Sequence, residues 1–419
     1  MIVPKLRFPE FRGAGGWEEK PLGNFIDELR EKSNIQDQFE VLTSARDGLI
    51  RQRDYYDNNE RIAGRDNVGF NVIPPNYLTY RSRSDDRRFF FNENKLGITG
   101  IISSYYPVFR LIEASNKFFV ELLSVHSNNI GKRSVGTSQT VLSLNELKRI
   151  QLPIPKVKEQ QKIASCLSSI DELITAQSQK VDALKTHKKA LIQQLFPTDG
   201  ETIPRLRFPE FRDAGEWEES PLSKFILSLD AGVSVNSGDR PASKTEFGVL
   251  KTSAVTNGVF EPNENKVVFA ESEQSRLKEP VSGSTIIISR MNTPALVGAN
   301  AYVESHHENL FLPDRLWAAK PREGVSMRFL AFILGSDKGR AALSKLAKGS
   351  SGSMKNITKP EVLAFSVMAP SPSEQQKIAS CLSSIDELIT AQSQKLDALK
   401  THKKGLMQQL FPVADEVEA

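Results

Sequence analysis

Apolar residues recur in alternating steps of four and three along two long segments, residues 159–197 and 374–412. This heptad spacing predicts helices that each bury one seam, which polar residues interrupt at Gln177 and Lys188 in the first segment. Pro197 and Pro412 are expected to end the helices. A helix of this length is a rod of about 58 Å, which cannot bury its own seam. The two helices are predicted to pair with each other, although the seam could instead bind another protein. The predicted seam is Ile163, Leu167, Ile170, Ile174, Val181, Leu184, Ile378, Leu382, Ile385, Ile389, Leu396 and Leu399.

The segments between these helices have a different pattern. Residues 26–158 and 226–373 alternate short apolar runs with turns rich in Asp, Asn and Gly, and each includes helical stretches such as 117–126 and 327–347. Strand-like alternation mixed with helical periodicity predicts an α/β unit with a mixed sheet in each segment.

Two blocks of the sequence occur twice, so the chain has a doubled plan. "PKLRFPEFRGAGGWEEKPLGNF" at 4–25 returns as "PRLRFPEFRDAGEWEESPLSKF" at 204–225, and the helical block at 159–197 returns at 374–412 with three changes. The α/β segments show no comparable identity. A period near 200 residues is too long for a solenoid, so the pattern indicates duplication of a domain together with its helix.

Composition narrows the class of protein. The two cysteines, Cys166 and Cys381, occupy the same position in the two helical blocks, which excludes a disulfide scaffold and favours a reducing cytoplasm. No apolar run is long enough to span a bilayer, and no signal peptide is expected at the N-terminus. The net charge of +4 says little about nucleic acid by itself.

Local charge is more informative. Four arginines between positions 81 and 88 lie beside a run of aromatic residues, and a basic "GKRSVGTSQ" segment follows at 131–139. Cations, aromatic rings and small polar side chains suit a surface for phosphates and bases. Because Asp85 and Asp86 interrupt the arginines, a solvated, salt-bridged surface remains an alternative on chemistry alone.

The usual catalytic patterns are missing from the sequence. No phosphate-binding G-x-x-x-x-G-K-[ST] loop occurs, and the histidines and cysteines have no metal-binding spacing. "VIPPNYL" at 72–78 departs from a methyltransferase motif, and "NENK" at 92–95 lacks a well-spaced partner carboxylate for a nuclease. We therefore expect no catalytic residues, no metal site and no cofactor in this chain.

The doubled plan closely resembles the specificity subunit of bacterial Type I restriction-modification systems. The resemblance covers essentially the whole chain. It is carried by "PKLRFPEFR…WEEKPLG" and its echo, by "LPIP…EQQKIASCLSSIDELI", and by "APSPSEQQKIASCLSSIDELI".

The resemblance implies a fold of class α/β, with two globular mixed α/β target-recognition domains separated by two long antiparallel coiled-coil helices in a pseudo-two-fold internal repeat. The expected boundaries are 1–155 for the first recognition domain, 156–197 for the first helix, 198–370 for the second domain, 371–412 for the second helix and 413–419 for a flexible tail.

The resemblance also implies function. Each recognition domain would bind one half of a bipartite, asymmetric site in double-stranded DNA, and the helices would set the gap and dock two modification (methyltransferase) subunits. Two restriction (translocase and nuclease) subunits would complete the complex. S-adenosylmethionine, ATP and Mg²⁺ would belong to those partners. Matching the family's loops assigns DNA contacts to Arg81, Arg83, Tyr105, Thr137, Gln139, Lys251, Arg290, Asn292, Ser353 and Lys355.

Two alternatives stay open at this point. One is a coiled-coil scaffold that binds protein without reading DNA, and the other is a self-sufficient nuclease or methyltransferase. The first predicts partner binding with no DNA shift, and the second predicts activity of the purified chain alone.

Overall fold

The computed structural model describes residues 2–46, 48–55, 66–198, 200–348 and 354–412. The chain forms two compact units: unit 1 comprises residues 1–180 and 392–419, and unit 2 comprises residues 181–391. Because the division falls inside both long helices, each unit contains one end of each helix. No helix in the described ranges is long and apolar enough to cross a membrane.

Unit 1 is built on two four-stranded sheets with the strand orders β2-β10-β6-β8 and β4-β3-β9-β5, and on the two-stranded pairs β1-β12 and β7-β11. Among the described strands of unit 1, only β3 and β9 pair in parallel, so the second four-stranded sheet is mixed. The strands of unit 1 are β1 (Glu18–Pro21), β2 (Ile26–Leu29), β3 (Glu40–Ala45), β4 (Gly48–Arg51), β5 (Asn71–Ile73), β6 (Leu78–Tyr80), β7 (Arg83–Ser84), β8 (Phe91–Glu93), β9 (Gly100–Ile102), β10 (Val108–Leu111), β11 (Thr140–Val141) and β12 (Gln151–Ile154). The helices that begin in it are α1 (Gln52–Tyr55), α2 (Asn116–Val125), α3 (Ser127–Lys132), α4 (Leu144–Arg149) and α5 (Val157–Leu195).

Unit 2 repeats this plan in unlike sequence. Its four-stranded sheets have the orders β14-β22-β18-β20 and β16-β15-β21-β17, and its two-stranded pairs are β13-β24 and β19-β23. Its strands are β13 (Glu218–Pro221), β14 (Ile226–Ala231), β15 (Gly248–Leu250), β16 (Asn265–Val267), β17 (Pro280–Val281), β18 (Thr285–Ser289), β19 (Met291–Asn292), β20 (Asn300–Val303), β21 (His307–Phe311), β22 (Leu316–Pro321), β23 (Lys355–Asn356) and β24 (Ser366–Ala369). The helices that begin in it are α6 (Glu271–Gln274), α7 (Met327–Gly335), α8 (Asp337–Lys345), α9 (Lys359–Leu363) and α10 (Pro372–Leu410). The predicted pair of mixed α/β units is confirmed.

The predicted long helices, α5 and α10, each stop two residues before the proline expected to end them. In unit 1, Gln177 donates from Nε2 to the backbone and side-chain oxygens of Gln392, both at 2.9 Å. Asp171 pairs with Lys403 at 2.7 Å in the same unit. Asp171 precedes Gln177 along α5, whereas its partner Lys403 follows Gln392 along α10. The helices therefore run antiparallel there, as predicted. Gln392 is the repeat counterpart of Gln177, so this residue meets its own copy.

Unit 2 contains the counterpart of the ion pair, with Lys188 Nζ 2.6 Å from Asp386 Oδ1. The twelve predicted seam residues are all buried or half-buried. In unit 1, Ile163 and Leu167 pack in the same core cluster as Leu410 and Phe411 of the other helix end.

The short repeated block has a structural role in both units. In unit 1, Arg7 makes a bidentate pair with Glu159 at the start of α5, with both distances 2.8 Å, and Trp17 donates from Nε1 to the same carboxylate at 3.1 Å. Arg207 holds Glu374 at the start of α10 in the same way, at 2.8 and 2.7 Å. We call each of these arginine–glutamate pairs a clamp. In each unit, the clamp joins the short repeated block to the N-terminus of a long helix.

Candidate nucleic-acid interface

Most of the predicted DNA-contacting residues of unit 1 lie on or beside a two-stranded ribbon formed by β7 and β11. Ser84 pairs with Thr140 across this ribbon, and the Thr140 hydroxyl donates to the Ser84 carbonyl at 3.0 Å. Leu142 N–H also donates to the Ser82 carbonyl at 2.9 Å, which extends the ribbon by one pair beyond β7 and β11. Ser84 and Thr140 are buried, while their neighbours along the chain are more exposed.

Arg83 and Tyr105 form one platform on this surface. The Arg83 guanidinium carbon lies 4.0 Å from the centroid of the Tyr105 ring, whose residue is 53% exposed. Ser82 fixes the turn that carries the tyrosine, because its hydroxyl donates to the Tyr105 carbonyl at 2.6 Å. A guanidinium on an aromatic face is held in one plane, which suits it to bidentate contacts with a base edge or a phosphate.

A short hairpin presents the amide and hydroxyl groups. The backbones of Val135 and Val141 pair at 3.0 and 2.8 Å, and Thr137 and Gln139 lie exposed between them. Gly136 has a φ of +129°, and a Cβ there would lie 2.3 Å from the Gln139 carbonyl oxygen, so the turn requires glycine.

The acidic residues inside the arginine cluster have specific partners. Asp86 accepts from the Ser84 hydroxyl at 2.8 Å and from the Arg88 backbone N–H at 3.1 Å. These bonds, the one from Ser84 above all, lower the pKa of Asp86. Asp85 accepts from Gln139 Nε2 at 3.3 Å. Within the described part of the chain, no carboxylate pairs with Arg81 or Arg83, so both guanidinium groups are available to an anion.

Sequence reasoning missed Arg46, which lies directly after β3. Its guanidinium is 5.6 Å from the Phe90 ring centroid and 3.4 Å from Asp86, with the side chain 72% exposed. This is a second exposed arginine–aromatic pair in unit 1. The only signal was an arginine at a predicted turn, and the sequence did not indicate which aromatic residue it would meet.

Unit 2 presents the equivalent ribbon from β19 and β23. Asn292 pairs with Lys355 in register, and Ile357 N–H donates to the Arg290 carbonyl at 2.9 Å, as Leu142 does to Ser82 in unit 1. The bridge between Lys348 and Asn356 matches that between Val135 and Val141. The structure therefore brings Arg290, Asn292 and Lys355 together.

The other predicted residues of unit 2 are placed differently. Lys251 lies directly after β15, a strand of the sheet β16-β15-β21-β17 and not of the ribbon. It pairs with Glu264 at 3.5 Å. Arg290 is half-buried over the Trp317 ring, with its guanidinium carbon 5.7 Å from the ring centroid. Ser353 lies outside the described residues.

Across the described ranges, no three residues among His, Cys, Asp and Glu come together as a metal-binding group.

Comparison with known proteins finds the same family in both halves of the chain. The family model for the "Type I restriction modification DNA specificity domain" matches residues 15–211 and again 216–401. The "Type I restriction enzyme MjaVIII specificity subunit" of Methanocaldococcus jannaschii is 24% identical over 97% of this chain and 93% of its own length. The "Type I restriction enzyme EcoKI specificity subunit" of Escherichia coli is 22% identical over 61% of this chain and 54% of its own length.

A solved structure has the same fold. The crystal structure of a Type I restriction-modification system S subunit from M. genitalium superposes with a TM-score of 0.60, at 15% identity, over 98% of this chain and 100% of the other. The matched regions together span most of the chain and include both ribbons and most of both long helices. The chain therefore belongs to the family of Type I restriction-modification DNA specificity proteins.

Proposed function

We propose that this chain is the DNA specificity subunit of a Type I restriction-modification complex, in which unit 1 and unit 2 each read one half of a bipartite, asymmetric site. The observation that carries the proposal is the ribbon, which recurs in both units with the same pairing but different side chains. Arg83 lies on one ribbon with Gln139 directly beside it, and Asn292 and Lys355 lie on the other. Unlike side chains on like frames are what two different half-sites require.

We assign recognition to residues 1–155 and 198–370, and spacing to the helices at 156–197 and 371–412. Residues 413–419, for which a tail was expected, lie outside the described residues. The chain itself supplies no catalytic group. It directs adenine methylation or restriction by two modification subunits and two restriction subunits, which bring S-adenosylmethionine, ATP and Mg²⁺. Its working compartment is the cytoplasm.

The long helices offer like surfaces to two like partners. Leu173 and its repeat counterpart Leu388 are exposed by 56% and 42% on their helices, although both are large and apolar. We propose that each contributes to the docking surface of one modification subunit. Leu173→Asp and Leu388→Asp should each remove one modification subunit from the complex, measured by native mass spectrometry. Leu227→Asp is the matched control, because Leu227 is 65% exposed but lies on β14. Full occupancy in both helix variants would refute this assignment.

The first experiment is to co-purify the chain with its cognate modification subunit and map methylated adenines by single-molecule sequencing. A split motif modified in both halves supports the proposal. An unsplit motif, or no modification, refutes it and favours a scaffold that does not read DNA.

Single variants then test the ribbon. Arg83→Ala should cost about 1–3 kcal/mol of binding free energy and relax specificity at one base position if Arg83 reads a base. Loss of a phosphate contact would instead weaken all sequences alike and flatten the salt dependence. Arg149→Ala is the control, because Arg149 is an exposed arginine of unit 1 whose ion pair, among the residues that the structure describes, is with Glu146 on α4. If both variants bind like the wild type, Arg83 is not part of the interface.

A further inference from the structure

One lysine, identical in the two long helices, meets a different kind of partner in each unit. In unit 1, Lys403 Nζ lies 2.7 Å from Asp171 Oδ1 and 3.1 Å from Glu121 Oε1. In unit 2, its counterpart Lys188 lies 2.6 Å from Asp386 Oδ1. The second contact of Lys188 is the face of Phe332, whose ring centroid is 5.0 Å from Nζ.

Glu121 and Phe332 occupy the same position in the two α/β units. Glu121 is six residues after Ser115, which caps α2, and Phe332 is six residues after Ser326, which caps α7. Each serine accepts from the backbone N–H three residues later. The helix that carries the variable residue is therefore placed alike in both units, although the residue has changed from an acid to an aromatic ring.

A lysine is suited to both partners. Its ammonium group has three donors on a flexible stem, so it can pair with one carboxylate of the helix pair and still reach a second carboxylate or an aromatic face. Both lysine side chains are about four-fifths buried, with 20% and 22% exposed, which strengthens either contact by excluding water. The aspartate partner is identical in the two repeats, and only the partner on the α/β unit changes.

We propose that Lys188 and Lys403 are positioning residues, which hold the α7 and α2 helices of the two recognition units at a fixed orientation on the helix pair. This inference rests on the proposed function, because the orientation of a recognition unit decides where its half-site falls along the DNA. The lysine accepts either a carboxylate or an aromatic ring, so unlike recognition units fit the same helices.

The two units differ in how much depends on this lysine. In unit 1, Lys117 of α2 also bridges to Asp171 at 2.5 Å and to Glu121 at 2.7 Å, so a second cation supports the same junction. In unit 2, Arg328, the counterpart of Lys117, pairs with Glu304 instead. Loss of Lys188 should therefore disturb positioning more than loss of Lys403.

The test is methylation of a DNA library in which the two half-sites are separated by every gap within a few base pairs of the wild-type gap. Each variant is assayed with its modification subunit. Lys188→Ala should keep the recognised bases but lower the preference for the wild-type gap by about tenfold, and Lys403→Ala should lower it by about threefold. Lys188→Arg should restore the wild-type preference. Lys185→Ala is the control, because Lys185 is exposed on the same helix one turn earlier.

Exchange of the variable partner gives a second readout. Phe332→Glu should keep the wild-type gap preference, because it recreates the contact of unit 1, whereas Phe332→Ala should relax it.

A lysine that only stabilises the fold would reduce methylation at every gap by the same factor, and this result would overturn the inference. If the wild type itself shows no split motif, the proposed function fails. If the wild type shows one and Lys188→Ala has the same gap profile, only the inference fails.

Discussion

The clamp at the start of each long helix allows a prediction in which the two units serve as controls for each other. The Arg7 and Glu159 side chains are 8% and 4% exposed, and those of Arg207 and Glu374 are 7% and 1% exposed. Removing one member of such a pair leaves a buried charge without compensation, which costs about 3–5 kcal/mol. Glu159→Ala and Glu374→Ala should therefore each destabilise their own unit by this amount.

One further hydrogen bond separates the two units. Trp17 donates to Glu159, so Glu159→Ala also leaves the buried indole N–H of unit 1 without an acceptor. The indole N–H of Trp217 already has no hydrogen-bond partner among the described residues. We expect Glu159→Ala to cost about 1 kcal/mol more than Glu374→Ala.

The assay must resolve the units, because a two-unit chain does not unfold as a single two-state system. Hydrogen exchange measured by mass spectrometry over a urea series gives the opening free energy of peptides covering residues 2–20 and 202–220 separately. Glu172→Ala, at an exposed position of α5, is the control for helix propensity. A loss below about 1 kcal/mol for Glu159→Ala, or the reverse order of the two units, would refute the reasoning.

A double variant tests the electrostatic explanation itself. Arg207→Met combined with Glu374→Leu replaces the pair by apolar side chains of similar volume, which is neutral or stabilising in other buried pairs. We expect unit 2 to regain wild-type stability in the double variant. A double variant as unstable as Glu374→Ala would mean that the clamp acts through shape and not through charge.

The remaining predictions concern the helix pair and one close contact. Replacing both Gln177 and Gln392 by Leu should raise the free energy of unfolding of unit 1 by about 1–2 kcal/mol but loosen the helix register, since a buried polar pair specifies register at a cost in stability. Hydrogen exchange over a urea series measures the first effect, and cross-linking of single cysteines measures the second. Burial alone would raise the pKa of Asp171, but hydrogen bonds from Lys117 and Lys403 outweigh it and lower that pKa. The stabilisation is therefore present above the ordinary aspartate pKa and is lost as pH falls through the lowered value. Asp171→Asn should destabilise unit 1 at pH 7 in hydrogen exchange, and this effect should begin to fade below about pH 4 and vanish below the lowered pKa. Gly131→Ala should destabilise α3, because the new Cβ would lie 2.3 Å from the Arg87 carbonyl oxygen; unchanged thermal stability would contradict that geometry.

Local patterns were enough to predict the helices and the repeat. The heptad spacing in 159–197 and 374–412 predicted α5 and α10, because helical periodicity is a property of neighbouring residues. The duplicated blocks predicted two units. The sequence lacks the usual catalytic motifs, which agrees with a family of specificity subunits whose partner subunits perform the chemistry. The stretch 327–347, predicted to be helical, is divided into α7 and α8 at Ser336, whose side chain accepts from the Gly339 N–H.

The tertiary structure alone decided which distant residues meet. Nothing local in the sequence pairs Arg46 with Phe90 or makes Glu121 and Phe332 counterparts. Nor does it place β15, which precedes Lys251, in a different sheet from β18, which precedes Arg290. These relations depend on strand order and helix packing, which bring together segments far apart in the chain. The two units share the same strand order with little common sequence, because strand pairing uses backbone hydrogen bonds that many side chains allow. Each contact at the ribbons and helix junctions, in contrast, depends on its own side chains.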